Sequence, residues 1–298
     1  MVNNRVNKNA SQDKYDLPWT LEDASDFSNF WLQFLKSKKR PDLKAGTLTS
    51  VDLFASAGGL TLGAMAAAAG LRSNLQAMMA VDIDHDALQI FQRNFRARIS
   101  KTESVANLVD FKIRNTGDVS AFAYEPESLD QDLTAIAGKT DLLLAGPPCQ
   151  GHSTLNNHSR FDDPRNALYL TVPAVAAVLR PKYVVIENVP TVTRDKSGVV
   201  RSTISLLREL GYETSSGVLN AAKLGWPQTR KRFFLIASLV STPFEISEVQ
   251  QDLTRETLPI NWAIADLIKD VNTDDYMTQL PKMSKDNLRR IDWLFDQG

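Results

Sequence analysis

The chain has 298 residues, of which 43% are hydrophobic and 23% charged, and its net charge is −1. These are the proportions of a water-soluble globular protein long enough to bury a core. No stretch reaches the roughly 18 apolar residues that span a bilayer, and the polar N-terminus lacks the apolar centre of a secretory signal. A cytoplasmic protein is therefore expected, nucleoid-associated if bacterial, with no membrane partner. A single cysteine excludes an intramolecular disulfide and a cysteine-based metal cluster, and three scattered histidines do not suggest a zinc site, so no metal is expected. Basic runs are confined to residues 36–40, 230–232 and 289–290, so charge neither supports nor excludes a nucleic-acid partner.

Residues 1–16 read as disordered. Residues 19–38 place Phe27, Phe30, Trp31, Phe34 and Leu35 at spacings that predict an amphipathic helix. From residue 49 strands and helices alternate. Residues 49–54 predict a buried strand, followed by a small-residue turn and a helix stopped at Gly70. Residues 79–83 predict a second strand, with Asp84 capping a helix that runs to about Phe95. A third strand is expected at 109–113 and a fourth at 141–145. A helix at 166–179, a strand at 182–187, a helix at 202–210 stopped by Gly211, and strands at 213–219 and 232–238 complete the pattern. This alternation predicts an α/β protein, a mainly parallel twisted sheet with helices on both faces. In such sheets ligands bind beyond the carboxyl ends of the strands. Residues 241–280 hold eight acidic and two basic residues with little periodicity, and read as a linker or the start of a second region.

Chemistry-bearing residues fall at the predicted strand ends. After the first strand, Gly58 and Gly59 allow a backbone approach to a ligand at a helix N-terminus, although the spacing is not that of a dinucleotide-binding turn. Asp82 ends the second strand, where a carboxylate can accept from two ribose hydroxyls, and Asp118 follows the third, where it could accept from an adenine amino group. With Asp52, these acids and the glycine turn suit a nucleoside such as S-adenosylmethionine; a capping or turn-forming role for each acid is the plainer alternative. In Gly146-Pro147-Pro148-Cys149, two prolines fix the backbone before the sole cysteine and hold its thiol at the crevice rim, the setting a nucleophile needs. A polar loop containing Gln150 and Ser153 follows. Glu187 and Asn188 end an apolar strand, where the carboxyl is partly desolvated and can act on a proton. Arg230 and Arg232 alternate as the chain enters another strand, a pattern that puts both on one face, suited to phosphate or carbonyl oxygens.

Taken in order, Pro147-Pro148-Cys149-Gln150, Glu187-Asn188-Val189 and the Gln228/Arg230/Arg232 triplet resemble the C5-cytosine DNA methyltransferase family over roughly residues 49–240, through the motifs conventionally counted one to eight. The resemblance implies a Rossmann-like, S-adenosylmethionine-dependent methyltransferase fold and a double-stranded DNA substrate. It implies that Cys149 adds to carbon 6 of a flipped cytosine, that Glu187 engages ring nitrogen 3, and that carbon 5 takes the methyl group, leaving S-adenosylhomocysteine. Arg230 and Arg232 would hold the cytosine carbonyl, phosphates or the active-site loop, and Asn188 would orient the surroundings of Glu187. Phe54, Ala57, Gly58, Gly59, Asp82, Ile83, Asp118, Val119, Pro147 and Leu168 match the family's cofactor positions, and Gln150 and Ser153, with the two arginines, are candidate DNA contacts.

The sequence departs from the family pattern in four places. Ser56 stands where glycine is usual, Asp82 where glutamate is commoner, and His152 where an aromatic residue is usual. The family's recognition region, ninth motif and final Gly-Asn motif do not appear. The expected organisation is an N-terminal extension at 1–48, a catalytic cofactor-binding domain at 49–240, and a linker with an incomplete start of the recognition region at 241–298. Either a truncated single-chain enzyme or a subunit whose missing parts lie on a second chain would account for this, and a non-catalytic fragment and an RNA cytosine-5 methyltransferase stay open as alternatives.

Overall fold

The protein is described from a computed structural model covering residues 46–114, 123–148, 168–195, 198–260, 262–263 and 284–296. The expectations for residues 1–45, including the amphipathic helix, lie outside the described residues. The chain divides into two compact units, residues 1–220 with 230–254, and residues 221–229 with 255–298.

The first unit is built on a seven-stranded sheet. Its strands are β1 (Thr47–Leu53), β2 (Asn74–Asp82), β3 (Ile99–Thr102), β6 (Leu142–Ala145), β7 (Tyr183–Asn188), β8 (Glu213–Asn220) and β9 (Lys231–Ser238). They lie in the order β3-β2-β1-β6-β7-β9-β8. The first five are mutually parallel, and β9 runs antiparallel between β7 and β8. This is a Rossmann-like, mainly parallel sheet, as the alternation of strands and helices predicts. A two-stranded antiparallel sheet pairs β4 (Val109–Arg114) with β5 (Ala123–Ser128). The helices are α1 (Gly59–Gly70), α2 (His85–Phe95), α3 (Gln131–Ala135), α4 (Thr171–Leu179), α5 (Val199–Glu209) and α6 (Ile246–Asp252).

The strand pattern follows from burial on both faces, which makes parallel strands continuous apolar runs. From Ser50 to Leu53 every residue of β1 is buried, as are Leu143 to Ala145 in β6. Alternate residues of β2 feed two cores. Met79 and Val81 join the large cluster with Val51, Leu143, Val172, Ile186 and Leu235, while Ala80 meets Leu88 and Phe91 of α2 on the opposite face.

The structure differs from the sequence expectation in its third strand. Residues 109–113 do form a strand, but it belongs to the separate two-stranded sheet; the main sheet takes Ile99–Thr102 instead. That strand has four residues, alternately half-buried and exposed, too short and polar for its periodicity to stand out. The first helix does reach Gly70, yet the left-handed residue behind it is Arg72, at φ 55°. Helix α5 begins at Val199 because Gly198, at φ 67°, turns the chain into it. Helix α4 begins at Thr171, after a 3₁₀ turn at residues 168–170.

In the second unit, a 3₁₀ turn at Ala221–Lys223 is joined to the segment after Thr254 by a bridge between Leu224 and Arg255 and by the Thr257 hydroxyl donating to Ala222 O at 2.9 Å. Helix α7 (Lys285–Asp296) exposes Leu288, Trp293 and Leu294. No helix among the described residues is long and apolar enough to cross a membrane.

Candidate active site

Strand order reverses between β1 and β6: from β1 the chain builds outward to β2 and β3, and from β6 it builds the other way to β7. The crevice beyond the carboxyl ends of strands at such a switch point is where open α/β sheets bind ligands. Backbone bonds knit its floor. Ala55 N donates to Val81 O at 3.0 Å and Gly146 N to Leu53 O at 3.2 Å, carrying the connections between β1, β2 and β6 past the strand ends.

The turn after β1 is strained. Phe54 and Ser56 both lie in the left-handed region, at φ 56° and 47°, and Gly58 follows at φ 92° as the N-cap of α1. Side chains rarely adopt this conformation, and such residues cluster at ligand clamps. Gly58 is buried, and a Cβ there would press into the rings of Phe95 and Phe91. A Cβ on Gly59 would meet nothing within 4 Å, so open space lies over the start of α1, which has no side-chain cap. A helix N-terminus left open in this way favours a polar or anionic group.

Asp82, at the tip of β2, is fixed by the backbone. Its Oδ2 accepts from Ser56 N at 2.7 Å and its Oδ1 from Asp84 N at 2.8 Å. Each carboxylate oxygen keeps a further lone pair for a ribose hydroxyl. Asp84 instead caps α2, accepting from Ala87 N at 3.0 Å. Beside Asp82, Ile83 is 75% exposed, an apolar face next to a hydrogen-bonding carboxylate. Phe54 and Leu168 are half-buried and Ala57 exposed. The glycine turn, Asp82 and Ile83 together fit a nucleoside cofactor. Asp118 and Val119 lie outside the described residues.

Asp52 belongs to a different environment from the one its position in the motif suggests. It is 2% exposed and turned inward, its Oδ2 accepting from the Thr61 hydroxyl at 2.6 Å. Burial pushes its carboxyl up to about 8, and the Asp82 charge adds to the rise against the opposing Thr61 hydrogen bonds. It is a structural acid beneath the glycine turn, and Thr61 is a residue that the motif does not single out.

Across the switch point, β6 ends in Gly146-Pro147-Pro148 and β7 in Glu187-Asn188. Asn188 is buried; its Nδ2 donates to Pro147 O at 3.3 Å and its Oδ1 accepts from Val189 N at 2.8 Å. The segment leading to Cys149 is thereby tied to the strand that carries Glu187. Cys149, Gln150 and Ser153 lie outside the described residues. Glu187 pairs with Phe234 in the β7–β9 ladder, so Arg232, two residues earlier on β9, is its diagonal same-face neighbour. Arg232 Nε lies 2.6 Å from Glu187 Oε1, and the two side chains are 22% and 25% exposed. Arg230 stands exposed just before β9 and makes no hydrogen bond or ion pair among the described residues. Sequence alternation predicts both arginines on one face; the structure brings Arg232 alone to Glu187.

The C-5 cytosine-specific DNA methylase family profile matches residues 48–292. The chain belongs to this family. Over 273 residues it is 36% identical to the type II methyltransferase M1.BsuMI of Bacillus subtilis, a match covering 91% of this chain and 61% of that protein. It is 31% identical over 205 residues to the rat DNA (cytosine-5)-methyltransferase 1, covering 67% of this chain and 12% of that one. Among solved structures, a DNA modification methyltransferase encoded within an E. coli prophage is similar at 29% identity and a TM-score of 0.46, over 64% of this chain and 46% of that one. The chain thus spans about three fifths of the Bacillus relative. Ser56, at a position where the resemblance leads one to expect glycine, holds φ 47°, a conformation that favours glycine.

Proposed function

We propose that the chain carries the catalytic part of a DNA cytosine-5 methyltransferase, of the kind that accompanies restriction systems or marks DNA epigenetically. The observation that carries the reading is the junction of Pro147, Asn188, Glu187 and Arg232 at the switch point of a methyltransferase sheet. It sets a carboxylate and a cation beside the Pro-Pro segment that leads into the sole cysteine. S-adenosylmethionine supplies an electrophilic methyl group; Phe54, Ala57, Gly58, Gly59, Asp82, Ile83, Asp118, Val119, Pro147 and Leu168 would hold it.

Carbon 5 of cytosine is a poor nucleophile until the ring loses its aromaticity. The Cys149 thiolate adds to carbon 6 of the flipped base, forming a C–S bond and shifting electron density to carbon 5. Glu187 meets the ring at nitrogen 3 and favours the addition. Arg232, already beside Glu187, is placed to turn to the adjacent carbonyl oxygen, and Arg230, exposed, to a backbone phosphate. Asn188 keeps the Pro147 carbonyl, and with it the path to Cys149, in register with Glu187. After carbon 5 has taken the methyl group, its proton leaves to base, the C–S bond breaks, and the thiolate is regenerated. Gln150 and Ser153, next to the nucleophile, are assigned to the DNA strand. Base selection is assigned outside the 49–240 domain, either to residues that continue from 241–298 or to a second chain. The protein would work in the cytoplasm on double-stranded DNA.

The test is covalent capture. DNA containing 5-fluorocytosine blocks the elimination step, so incubation with S-adenosylmethionine should leave the protein attached through Cys149, and Cys149→Ser should abolish both attachment and methyl transfer. Methyl transfer retained by Cys149→Ser would refute the assignment of the nucleophile. Capture by fluorinated tRNA in place of DNA would move the substrate to RNA.

A further inference from the structure

Asp52 and Thr61 form a polar pair in the interior. Asp52 lies on β1, in register with Ala80 of β2 and Leu144 of β6, and Thr61 lies in the first turn of α1, fully buried. The Asp52 carboxyl accepts from the Thr61 hydroxyl at 2.6 Å and from the Thr61 backbone N–H. Register neighbours share a sheet face, and Ala80 belongs to the apolar cluster with Leu88 and Phe91 of α2. For packing alone, two apolar side chains would suit this face without the desolvation that a buried carboxyl and hydroxyl cost.

The pair spans the strained turn. Phe54, Ser56 and Gly58, all in the left-handed region, lie between its two members, and a turn held in such conformations persists only where its surroundings fix it. The Asp82 carboxylate grips the same turn through Ser56 N at 2.7 Å. Gly58 gives α1 no side-chain cap, and the Gly59 and Leu60 N–H groups have no partner among the described residues, with open space over Gly59. We propose that Asp52 and Thr61 are positioning residues for the cofactor turn. Their bond straps the first turn of α1 to β1, so that the Gly59 and Leu60 N–H groups face the S-adenosylmethionine site and Ser56 N stays on Asp82. Both residues are buried and act through the turn, so the strap sets affinity for the cofactor and takes no part in the chemical step.

This inference rests on the cofactor reading of the turn, and the experiment separates the two. Binding of S-adenosylhomocysteine to the full chain is measured by titration calorimetry for wild type, Thr61→Val, Thr61→Ser and the double variant Asp52→Leu/Thr61→Val. Each protein's unfolding midpoint in urea and its steady-state methyl transfer to mixed-sequence unmethylated DNA are measured alongside. Thr61→Val, which keeps the shape and removes the hydroxyl, should weaken binding about 5-fold or more, the scale of one hydrogen bond, with the loss appearing in KM for S-adenosylmethionine and not in kcat. Thr61→Ser keeps the hydroxyl and should bind within about twofold of wild type. The double variant replaces both polar partners by apolar groups, so it should regain the midpoint lost in Thr61→Val without regaining affinity. Wild-type affinity in Thr61→Val or in the double variant shows that the bond serves packing alone and overturns the proposal, as does a Thr61→Ser that binds as weakly as Thr61→Val. Wild type that binds no S-adenosylhomocysteine overturns the cofactor reading and the strap with it; wild type that binds it and transfers no methyl group overturns the methyltransferase reading alone.

Discussion

Asn188 Nδ2 donates to the carbonyl of Pro147 at 3.3 Å, joining the ends of the neighbouring parallel strands β6 and β7 next to the point where strand order reverses. The bond is buried, and the other end of the same amide accepts from Val189 N. One side chain therefore sets both the exit of the chain toward Cys149 and the turn that follows Glu187. Asn188→Ala removes both bonds and leaves the Val189 N–H without this acceptor. A loss of about 1–3 kcal/mol of unfolding free energy is expected, from two hydrogen bonds in a buried setting. The larger effect should be on kcat, because the Pro-Pro segment is no longer registered against Glu187. Denaturant unfolding and steady-state methyl transfer on the same preparation check this; Asn188→Ala with native kcat would show that the bond serves packing alone.

Arg232 and Glu187 give a second prediction. Their pair is roughly one-quarter exposed, and exposed ion pairs contribute only about 0.2–1 kcal/mol. Arg232→Ala should therefore move the unfolding midpoint little. Its catalytic cost should be large, about 10²-fold in kcat, as when a preorganised donor is removed from a site of developing charge. Arg230→Ala, which removes an exposed cation with no partner among the described residues, should weaken DNA binding and make it less salt-dependent, with kcat at saturating DNA nearly unchanged. Equal losses of kcat in the two variants would contradict the separate placement of the two arginines.

These contrasts bear on what can be read from sequence. The strand ends at Leu53, Asp82, Ala145 and Asn188 are legible because buried parallel strands are apolar runs that stop at small or polar residues. The Gly58 turn is legible because the left-handed region favours glycine. What the pattern does not carry is side-chain direction at long range. Asp52 looks like another strand-end acid, yet it faces Thr61 in the interior, since nothing in local sequence tells which strand face a helix covers. Alternation places Arg230 and Arg232 on one face, but Arg230 lies before the strand begins, where the period of two no longer applies.

The cofactor turn yields a third prediction. Ser56 holds φ 47°, and a left-handed conformation costs a residue with a side chain roughly 1–2 kcal/mol. Ser56→Gly keeps the backbone N–H that donates to Asp82 and should raise stability by about 0.5–1 kcal/mol, the relief of strain less the extra freedom glycine gains on unfolding. Gly58→Ala should do the reverse, because it adds strain at φ 92° and drives a methyl group into the Phe95 ring. Thermal unfolding with and without S-adenosylmethionine distinguishes the two: the ligand-induced rise in Tm should persist in Ser56→Gly and shrink in Gly58→Ala. A stabilised Gly58→Ala would mean that α1 and α2 are not packed as closely as the structure has them.

Asp52 gives a pH dependence with a definite sign. Its carboxyl is pushed up to about 8 in the folded protein, chiefly by burial, against an ordinary value near 4 in the unfolded chain. Below about pH 4 both states hold the proton and this group adds no slope. Between about 4 and 8 the folded state keeps a proton that the unfolded state releases, so unfolding free energy falls as pH rises, by at most about 1.4 kcal/mol per pH unit. Above about 8 the group is ionised in both states and the slope vanishes again. Stability contributed by the protonated carboxyl is thus complete at low pH and lost through the folded value, the opposite of an acid held in a salt bridge. Asp52→Asn keeps an oxygen to accept from Thr61 and carries no charge, so it should lie nearest to wild type at about pH 4 and become progressively more stable than wild type toward pH 8. The difference between the two, measured by urea unfolding at half-unit pH intervals, isolates Asp52 from the other titrating groups. A difference that stays constant from pH 5 to 8 would mean that Asp52 is ionised inside the fold, with Thr61 enough to hold its charge.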